Sequence, residues 1–336
     1  MNDETIEYAF QDQRFILDRK KAELALSEKR AIGGKKKSSF FSLMPLRYPW
    51  AYELFRDMLA NNWVPEEVPM SEDVYQWKEK QILSEGERHI VRLAIGYFCS
   101  AEGIVGDTQE TIIRENISAP EIRLALGRQV QEENIHIDSL LYMISSLGIN
   151  PHEMTALFLS LPSVIKKNEL ICKSLPQLYG ELDFGNVETK RLFTKLIFSL
   201  TQVMEGTQFF GLFLPLLHLM RQGKMMGIGQ MVRFTLRDET NHIELGRRLI
   251  LTLIEENPEI ADASFIDELI ECMRLGLACE LDFIDDLIPQ GIPGLTSQEL
   301  KNFIRFNANR RLMALGWSPI SDILENPLPW SAEVIY

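Results

Sequence analysis

Hydrophobic residues recur at helical spacing along most of this chain. From Pro45 onward, apolar side chains return every three or four positions, with no sustained period-two alternation and no Asn-Gly or Asp-Gly hairpin turn. The pattern predicts an all-α protein in which several helices exceed twenty residues. The predicted helices span roughly residues 48–61, 73–82, 84–106, 107–116, 119–147, 151–161, 163–181, 186–221, 224–255, 262–286 and 296–316.

The first 40 residues are more polar and more highly charged than the rest. We expect a helical stretch from Thr5 to Arg30, followed by the glycine-, lysine- and serine-rich segment 33–39, which has the composition of a flexible linker. Its lysine run, Lys35–Lys37, is better explained as a solvated linker than as a binding patch. Residues 1–40 are therefore predicted to form a mobile arm, and residues 41–336 a single domain.

Local signals mark the ends of the predicted helix 119–147. Ser118, Pro120 and Glu121 indicate an N-cap region, and Gly148 is typical of a helix C-terminus. We expect the helix to begin and end at these positions.

The longest apolar run is Leu196–Leu217, in which Glu205 is the single charged residue. Its length alone would permit a membrane span. Pro215, two glutamines and the lack of basic flanking asymmetry favour instead a helix buried in a large soluble bundle. No association with a membrane is expected.

Composition and charge narrow the class of protein. A chain of 336 residues, 46% of them hydrophobic, is long enough for a substantial buried core. The net charge of -13 argues against a nucleic-acid-binding surface. The four cysteines form no CxxC pair and the N-terminus has no secretory signal, so we expect reduced thiols and a cytoplasmic protein.

Two segments share an ExxH motif, in which a glutamate precedes a histidine by three residues. They are Glu133–His136 and Glu239–His242. The spacing places both side chains of each motif on one helix face. A single ExxH is common on solvated faces, but two can converge on one metal site when each of two further helices adds an acid.

Glu102 and Glu205 are candidates for those two acids. Each is a lone carboxylate in an otherwise apolar helix, where an unpaired buried charge is costly. A salt bridge to arginine would explain either residue alone. The order Glu, ExxH, Glu, ExxH on long helices instead predicts a dinuclear site in a ferritin-like four-helix bundle with additional helices. His89, His152 and His218 are expected to lie outside it.

The type of ligand narrows the choice of metal. Four carboxylates and two imidazoles suit iron or manganese rather than a thiolate zinc site. These ligand types permit two irons, two manganese ions or one of each.

With this set of candidate ligands, the chain resembles the radical-generating small subunit of class I ribonucleotide reductase. The resemblance runs from about Pro45 to Trp330. Besides the six candidate ligands, it rests on Trp63–Glu67 (Trp-x-Pro-Glu-Glu), Arg237–His242 (Arg-Asp-Glu-x-x-His), Phe209 one turn after the third acidic ligand, and Asn326–Trp330 (Asn-Pro-x-Pro-Trp).

The resemblance implies a role for each matching residue. The two sets of metal ligands would be Glu102, Glu133 and His136 for one ion and Glu205, Glu239 and His242 for the other. Glu133 and Glu239 would be able to bridge the two ions. His136, Asp238 and Trp63 would form a hydrogen-bonded path for one-electron transfer between the metal site and the surface. Without the resemblance, Trp63 would be interpreted as a core or interface residue.

Two positions depart from the pattern of most family members. Most carry, four residues after the first histidine, a tyrosine that oxygen activation converts into a stable radical; this chain has Leu140, which cannot hold one. Tyr142 is rotated by about 200° around the helix axis and should not replace it. Most members also have aspartate where this chain has Glu102. Both departures resemble the chlamydial-type subgroup, in which a manganese–iron cluster holds the oxidising equivalent.

We therefore expect one manganese and one iron per chain. Manganese would lie at the site of Glu102, Glu133 and His136. The resemblance implies a homodimer that uses molecular oxygen to form its oxidant and then initiates a cysteine radical in a separate large catalytic subunit. That subunit would reduce ribonucleotides to the deoxyribonucleotides required for DNA replication.

Three other functions are alternatives to the reductase subunit, and the sequence argues against each of them. A ligand-binding Mn/Fe oxidase of the same fold would act without a large subunit, but that group has a tyrosine where this chain has Leu200. A ferritin-type metal store would leave the additional helices unexplained. A silent paralogue would not retain six ligands, because its buried carboxylates would repel one another.

The end of the sequence is a further departure. Family members continue past the Asn-Pro-x-Pro-Trp segment with a flexible tail that docks on the large subunit, whereas this sequence ends at Tyr336. We expect such a tail to be omitted from the sequence rather than lost.

Overall fold

Long helices account for most of the fold, in agreement with the helical pattern of the sequence. The computed structural model describes residues 5–10, 13–18, 20, 30–33, 46–172, 177–180 and 182–335. In these ranges the α-helices are α1 (Pro49–Ala60), α2 (Ser71–Lys78), α3 (Glu85–Thr108), α4 (Pro120–Leu147), α5 (Pro151–Ser160), α6 (Pro162–Cys172), α7 (Val187–Phe198), α8 (Phe210–Arg221), α9 (Met226–Glu256), α10 (Ala263–Leu287), α11 (Ser297–Ala314) and α12 (Ser331–Ile335). Two short 3-10 helices, Pro65–Glu67 and Pro258–Ile260, lie between them.

Two π-helices add a feature that the sequence pattern did not predict. The first, π1 (Gln109–Arg114), follows α3 directly. The second, π2 (Ser199–Gln208), joins α7 to α8 within the range predicted as one helix. At its end the Phe209 amide donates to the carbonyl of Met204, five residues earlier, at 3.0 Å. Such π turns occur frequently at functional sites.

The centre of the fold is a bundle formed by α3, α4, α9 and the continuous rod α7–π2–α8. Helix α3 packs against α4, and α9 packs against π2, α8 and α4. Helices α10 and α11 cover the outer side of π2. The all-α, ferritin-like prediction is therefore confirmed, with α10 and α11 among the additional helices.

The rod 187–221 is long and apolar enough to cross a membrane by length and composition. However, 94% of its most apolar window is buried inside the protein. It is a core helix of the bundle, as its glutamate, glutamines and proline predicted.

Helix ends agree in part with the predicted signals. Gly148 ends α4 in the left-handed conformation, with φ 64°. At the other end Pro120 is the first helical residue, but the N-cap is Ala119 and no side chain caps the helix. The Ser118 hydroxyl donates instead to the Arg30 carbonyl at 2.7 Å. Ser118 therefore connects the N-terminal segment to the bundle.

The predicted helix from Thr5 to Arg30 is wrong at its beginning. Residues Thr5–Phe10 and Gln13–Asp18 form an antiparallel hairpin of two strands, β1 and β2, in which Tyr8 pairs with Phe15. The sequence TIEYAF alternates apolar and less apolar residues, so a short period-two signal was overlooked beside the longer helical pattern. Residues 21–29 lie outside the described residues, and Arg30, the last residue of the predicted helix, is not helical.

Part of the predicted arm packs against the bundle. Ala31 and Ile32 are buried, and Ile32 forms an isolated antiparallel bridge with Ile117. The Ala31 amide donates to the Glu256 carboxylate at 3.0 Å. The Lys35–Lys37 run lies outside the described residues, and the division of the chain at residue 40 stays a prediction.

The close approach of α9 to π2 depends on Gly246. A Cβ atom at this position would lie 2.1 Å from Oγ1 of the buried Thr201. Both residues belong to elements that carry candidate metal ligands. Any side chain at position 246 would therefore separate the two elements or displace Thr201.

We expect Gly246→Ala to destabilise the fold by about 1–3 kcal/mol through overpacking. Gly103→Ala is the matched control, because Gly103 is helical and exposed and a Cβ there meets nothing within 4 Å. The control should stabilise the protein by roughly 0.5–1 kcal/mol. Urea unfolding of both metal-free variants measures the difference. Equal unfolding free energies would contradict this account of the packing.

Candidate metal centre

The six predicted ligands converge at the middle of the bundle. Helix α3 carries Glu102, α4 carries Glu133 and His136, π2 carries Glu205, and α9 carries Glu239 and His242. Every one of these side chains is buried. In each ExxH motif the spacing of three residues turns both side chains toward the centre.

Around His136, three carboxylates approach the same ring nitrogen. Its Nδ1 lies 3.6 Å from Glu102 Oε2, 3.4 Å from Glu133 Oε2 and 3.5 Å from Glu239 Oε1. The four residues offer ligand atoms that all lie within 4.8 Å of one another. This spacing fits coordination of one cation.

A second group lies beside the first. Glu133, Glu205 and His242 also offer ligand atoms within 4.8 Å of one another. The Nδ1 atom of His242 lies 3.1 Å from Glu133 Oε1 and 3.4 Å from Glu239 Oε2. Glu133 and Glu239 therefore each direct one oxygen toward each histidine, which is the arrangement a pair of bridging carboxylates needs.

The donor atoms fit a metal pair because hydrogen bonds leave them unused. Among the buried atoms with no hydrogen-bond partner are Glu102 Oε2, Glu205 Oε2, both carboxylate oxygens of Glu133 and Glu239, and Nδ1 of both histidines. Unpaired buried polar atoms are rare in native proteins and call for a ligand or another explanation. Two divalent cations would supply four positive charges to four carboxylates.

The electrostatics of the centre reflect the same excess of negative charge. Burial raises the pKa of Glu102 well above its ordinary value, and nearby His136 offsets this only in part. Burial and the negative charge of Glu239 raise the pKa of Glu205 well above its ordinary value. Burial would lower the pKa of His136, but Asp238, Glu102 and Glu133 outweigh it and raise that pKa. The cluster attracts positive charge strongly, either as protons on imidazole or as metal ions.

Trp63 and Asp238 lie next to the His136 side of the cluster. The indole Nε1 of Trp63 donates to Asp238 Oδ2 at 2.7 Å, and the same oxygen lies 3.5 Å from His136 Nε2. Trp63 is only 1% exposed and packs against Phe234, with ring centroids 5.3 Å apart. The three predicted residues are thus adjacent, and their outer end is a buried tryptophan.

Leu140, where the sequence resemblance implies a tyrosine in most family members, lies beside the predicted ligands. It is buried and lines a cavity of about 20 Å³ together with Glu102, His136, Phe98 and other largely apolar residues. Tyr142 does not point there, since its hydroxyl donates to the Val68 carbonyl at 3.2 Å. No tyrosine is among the residues that line this cavity.

Sequence reasoning missed three polar neighbours of the cluster on α4. Glu132 Oε2 lies 3.0 Å from His242 Nε2, and Arg128 Nε donates to the other oxygen of Glu132 at 3.2 Å. Gln129 donates to Glu205 Oε1 at 3.4 Å. The four-residue spacing of Arg128 and Glu132 does indicate a helical ion pair. Nothing in the sequence indicated that this pair is buried.

The other histidines remain outside the cluster. The Nε2 atoms of His89 and His218 lie at 3.2 Å and 2.8 Å from the carbonyl oxygens of Asp286 and Pro293, and His152 is exposed. Cys99, Cys272 and Cys279 are free thiols.

Comparisons with known proteins show the family to which this chain is related. The family model "Ribonucleotide reductase, small chain" matches residues 40–327. The beta subunit of ribonucleoside-diphosphate reductase from Chlamydia pneumoniae is 34% identical over 321 residues, which cover 95% of this chain and 92% of the relative.

Solved structures share the fold. The R2 subunit of ribonucleotide reductase from Clostridium botulinum superimposes with a TM-score of 0.82 at 24% identity, covering 91% of this chain and 94% of that one. An R2-like ligand-binding oxidase with a reconstituted Mn/Fe cofactor superimposes with a TM-score of 0.67 at 16% identity, covering 81% and 94%. Because both groups share the fold, fold alone does not distinguish them. The family model and the 34% identical relative show that this chain belongs to the small-chain family of ribonucleotide reductase, an oxidoreductase.

Proposed function

We propose that this chain is a ribonucleotide reductase small subunit whose oxidising equivalent resides at a manganese–iron centre rather than on a tyrosine. The observation that carries the proposal is Leu140, buried beside Glu102 and His136 where a phenol would otherwise stand. A leucine side chain cannot be oxidised to a stable radical. The oxidant must therefore be held elsewhere, and the six clustered donors are the nearest candidates.

The proposed metal assignment follows the sequence resemblance, and it treats Glu133 and Glu239 as residues shared by the two groups of donors. Glu102, Glu133 and His136 would hold manganese, and Glu205, Glu239 and His242 would hold iron. When bound, the metal pair supplies the oxygen-derived oxidising equivalent that initiates a cysteine radical in the large subunit. The positions of Glu133 and Glu239 between the two histidines support their roles as bridging ligands. Two irons or two manganese ions are the alternatives.

The protein's own groups prepare the site for this role. The four helices exclude bulk water from the donors, and the apolar wall formed by Leu140, Phe98 and Phe213 offers no group that readily loses an electron. Arg237 Nε lies 3.7 Å from Asp238 Oδ1, where its charge partly balances the carboxylate. That carboxylate accepts a hydrogen bond from the Trp63 indole N–H and faces His136 Nε2, which supports the proposed electron-transfer path.

We further propose a cytoplasmic homodimer that acts with a separate large catalytic subunit. Membership of the small-chain family supports this proposal, since this chain would supply the radical and the large subunit the reducible nucleotide and the cysteine. In this proposal the nucleotide binds to the large subunit and does not contact the metal centre of this chain.

The ligand-binding oxidase remains the alternative function. It would need space for an organic molecule beside the metals. The cavity lined by Leu140 has room for about one water molecule. Leu200, in the position of the tyrosine of that group, is fully buried in π2. Both observations favour the reductase.

Anomalous diffraction identifies the metals directly. Crystals of protein loaded aerobically with both metals should show manganese at Glu102, Glu133 and His136 and iron at Glu205, Glu239 and His242. Data collected at the manganese and iron absorption edges measure the occupancy of each site. The same metal in both sites would contradict the Mn/Fe proposal, and two empty sites would indicate a silent paralogue.

Leu140→Tyr should place an oxidisable phenol beside the metal centre. After exposure of the metal-loaded variant to oxygen, we expect a tyrosyl radical signal in electron paramagnetic resonance or a hydroxylated residue in peptide mass spectrometry. Leu141→Tyr is the matched control, because Leu141 is the next residue on α4 but is 56% exposed. An inert phenol at position 140 with both metals present, or equal modification of the two variants, would contradict the placement.

Trp63→Phe should leave metal binding intact and impair radical initiation. The change removes the hydrogen bond to Asp238 and the most easily oxidised ring of the path. We expect nucleotide reduction by the complex with the large subunit to fall at least about tenfold, equivalent to about 1.4 kcal/mol in the barrier. Trp77→Phe is the control, since the Trp77 ring packs under Arg88 and Arg92 away from the centre. Equal activity of the two variants would exclude Trp63 from the path.

A further inference from the structure

Glu132 is a buried acid that the proposed set of ligands does not use. It immediately precedes Glu133 on α4, so its side chain is rotated by about 100° from that ligand. It is fully buried, and its Oε2 lies within hydrogen-bonding distance of His242 Nε2 at 3.0 Å. Glu132 therefore reaches across to α9 and contacts the histidine on the side away from the candidate metal ligands.

The arrangement on the two sides of the cluster is similar. In both histidines Nδ1 faces the ligand carboxylates, while Nε2 faces a further acid, Asp238 for His136 and Glu132 for His242. Each of these acids lies near an arginine: Arg237 Nε is 3.7 Å from Asp238, and Arg128 Nε is 3.2 Å from Glu132. A carboxylate at Nε2 keeps the proton on that nitrogen and leaves Nδ1 free to bind a cation.

The contacts of Asp238 and Glu132 also differ, which gives the two acids different roles. Asp238 Oδ2 is shared with the Trp63 indole and lies 3.5 Å from His136, whereas Glu132 Oε2 is closer to its histidine and its other oxygen accepts from Arg128. Asp238 thus belongs both to the proposed electron path and to the cluster. The contacts described for Glu132 are with His242 and Arg128, and neither residue belongs to the proposed electron path.

We propose that Glu132, held by Arg128, is a positioning residue that sets the metal affinity of the Glu205, Glu239 and His242 site independently of the other site. The proposal rests on the proposed function, because it requires the six donors to bind two metals. Carboxylate partners of metal-binding imidazoles orient the ring and raise its basicity. Arg128 supplies the positive charge that a fully buried carboxylate requires.

The test measures metal binding rather than activity. Glu132→Gln keeps the shape of the side chain and an acceptor oxygen but removes the charge. Manganese(II) alone, added without oxygen, is the probe: equilibrium dialysis gives the affinities in solution, and anomalous diffraction from crystals soaked at graded concentrations gives the occupancy of each site. We expect the affinity of the His242 site to fall about 10- to 100-fold. The His136 site should keep the wild-type affinity.

Two further variants control for general effects of the substitution. Glu121→Gln replaces another fully buried glutamate of α4, one that accepts the Arg47 and Tyr48 amides, and should leave both affinities unchanged. Asp238→Asn should show the reciprocal effect and weaken the His136 site. If Glu132→Gln fails to fold because Arg128 is left without its partner, the double variant Glu132→Gln/Arg128→Met removes both charges together and should still weaken the His242 site.

The possible outcomes separate this proposal from the proposed function. If wild-type protein binds two manganese ions and Glu132→Gln binds both with unchanged affinity, Glu132 is not a positioning residue and the dinuclear centre stands. An equal loss of affinity at both sites with a lower unfolding free energy would show a merely structural role and overturn the proposal. If wild-type protein binds no manganese at either site, both proposals fail.

Discussion

Four carboxylates that share one interior space set the main constraint on this structure. Glu102, Glu133, Glu205 and Glu239 are buried, and most of their oxygens have no hydrogen-bond partner. Like charges at such distances repel, and burial raises the pKa of Glu102 and Glu205 because it penalises their ionised forms. The cluster persists only if rigid helices hold the carboxylates together and a positive charge balances them. The packing of the bundle meets the first condition, and the donor set indicates metal ions for the second.

Two local features, a π-helix and a close contact between helices at Gly246, assist the convergence of these carboxylates. The π2 segment changes the direction of successive side chains at the point where Glu205 enters the centre. Gly246 allows α9 to approach π2 more closely than any side chain would permit. These two features therefore lie in the elements that carry Glu205, Glu239 and His242, whereas Glu102, Glu133 and His136 lie on the α-helices α3 and α4.

The acids outside the cluster give its two sides different surroundings. Asp238 connects His136 to Trp63, so the proposed route for an electron lies on that side. Glu132 connects His242 to Arg128, which completes a buried ion pair and leads to no oxidisable side chain among these contacts. Two groups with nearly the same donor types thus differ in what lies behind their histidines. Such a difference is a physical basis on which two sites in one protein can select different metals.

The sequence by itself determined the helical fold and the identity of the six clustered donors. The helices and the two ExxH motifs are periodic signals, since three residues separate Glu133 from His136 and Glu239 from His242. The other two donors are lone acids, which stand out in apolar helices. Leu140 was equally visible in the sequence, at a position where the resemblance implies a tyrosine. The N-terminal hairpin was missed because its alternation is short, and π2 was missed because all ten of its residues are buried, so that no exposed polar face marks its helical period. Only the tertiary structure decided that Glu132 is buried against His242, since a contact between α4 and α9 depends on how the helices pack and leaves no pattern along either one.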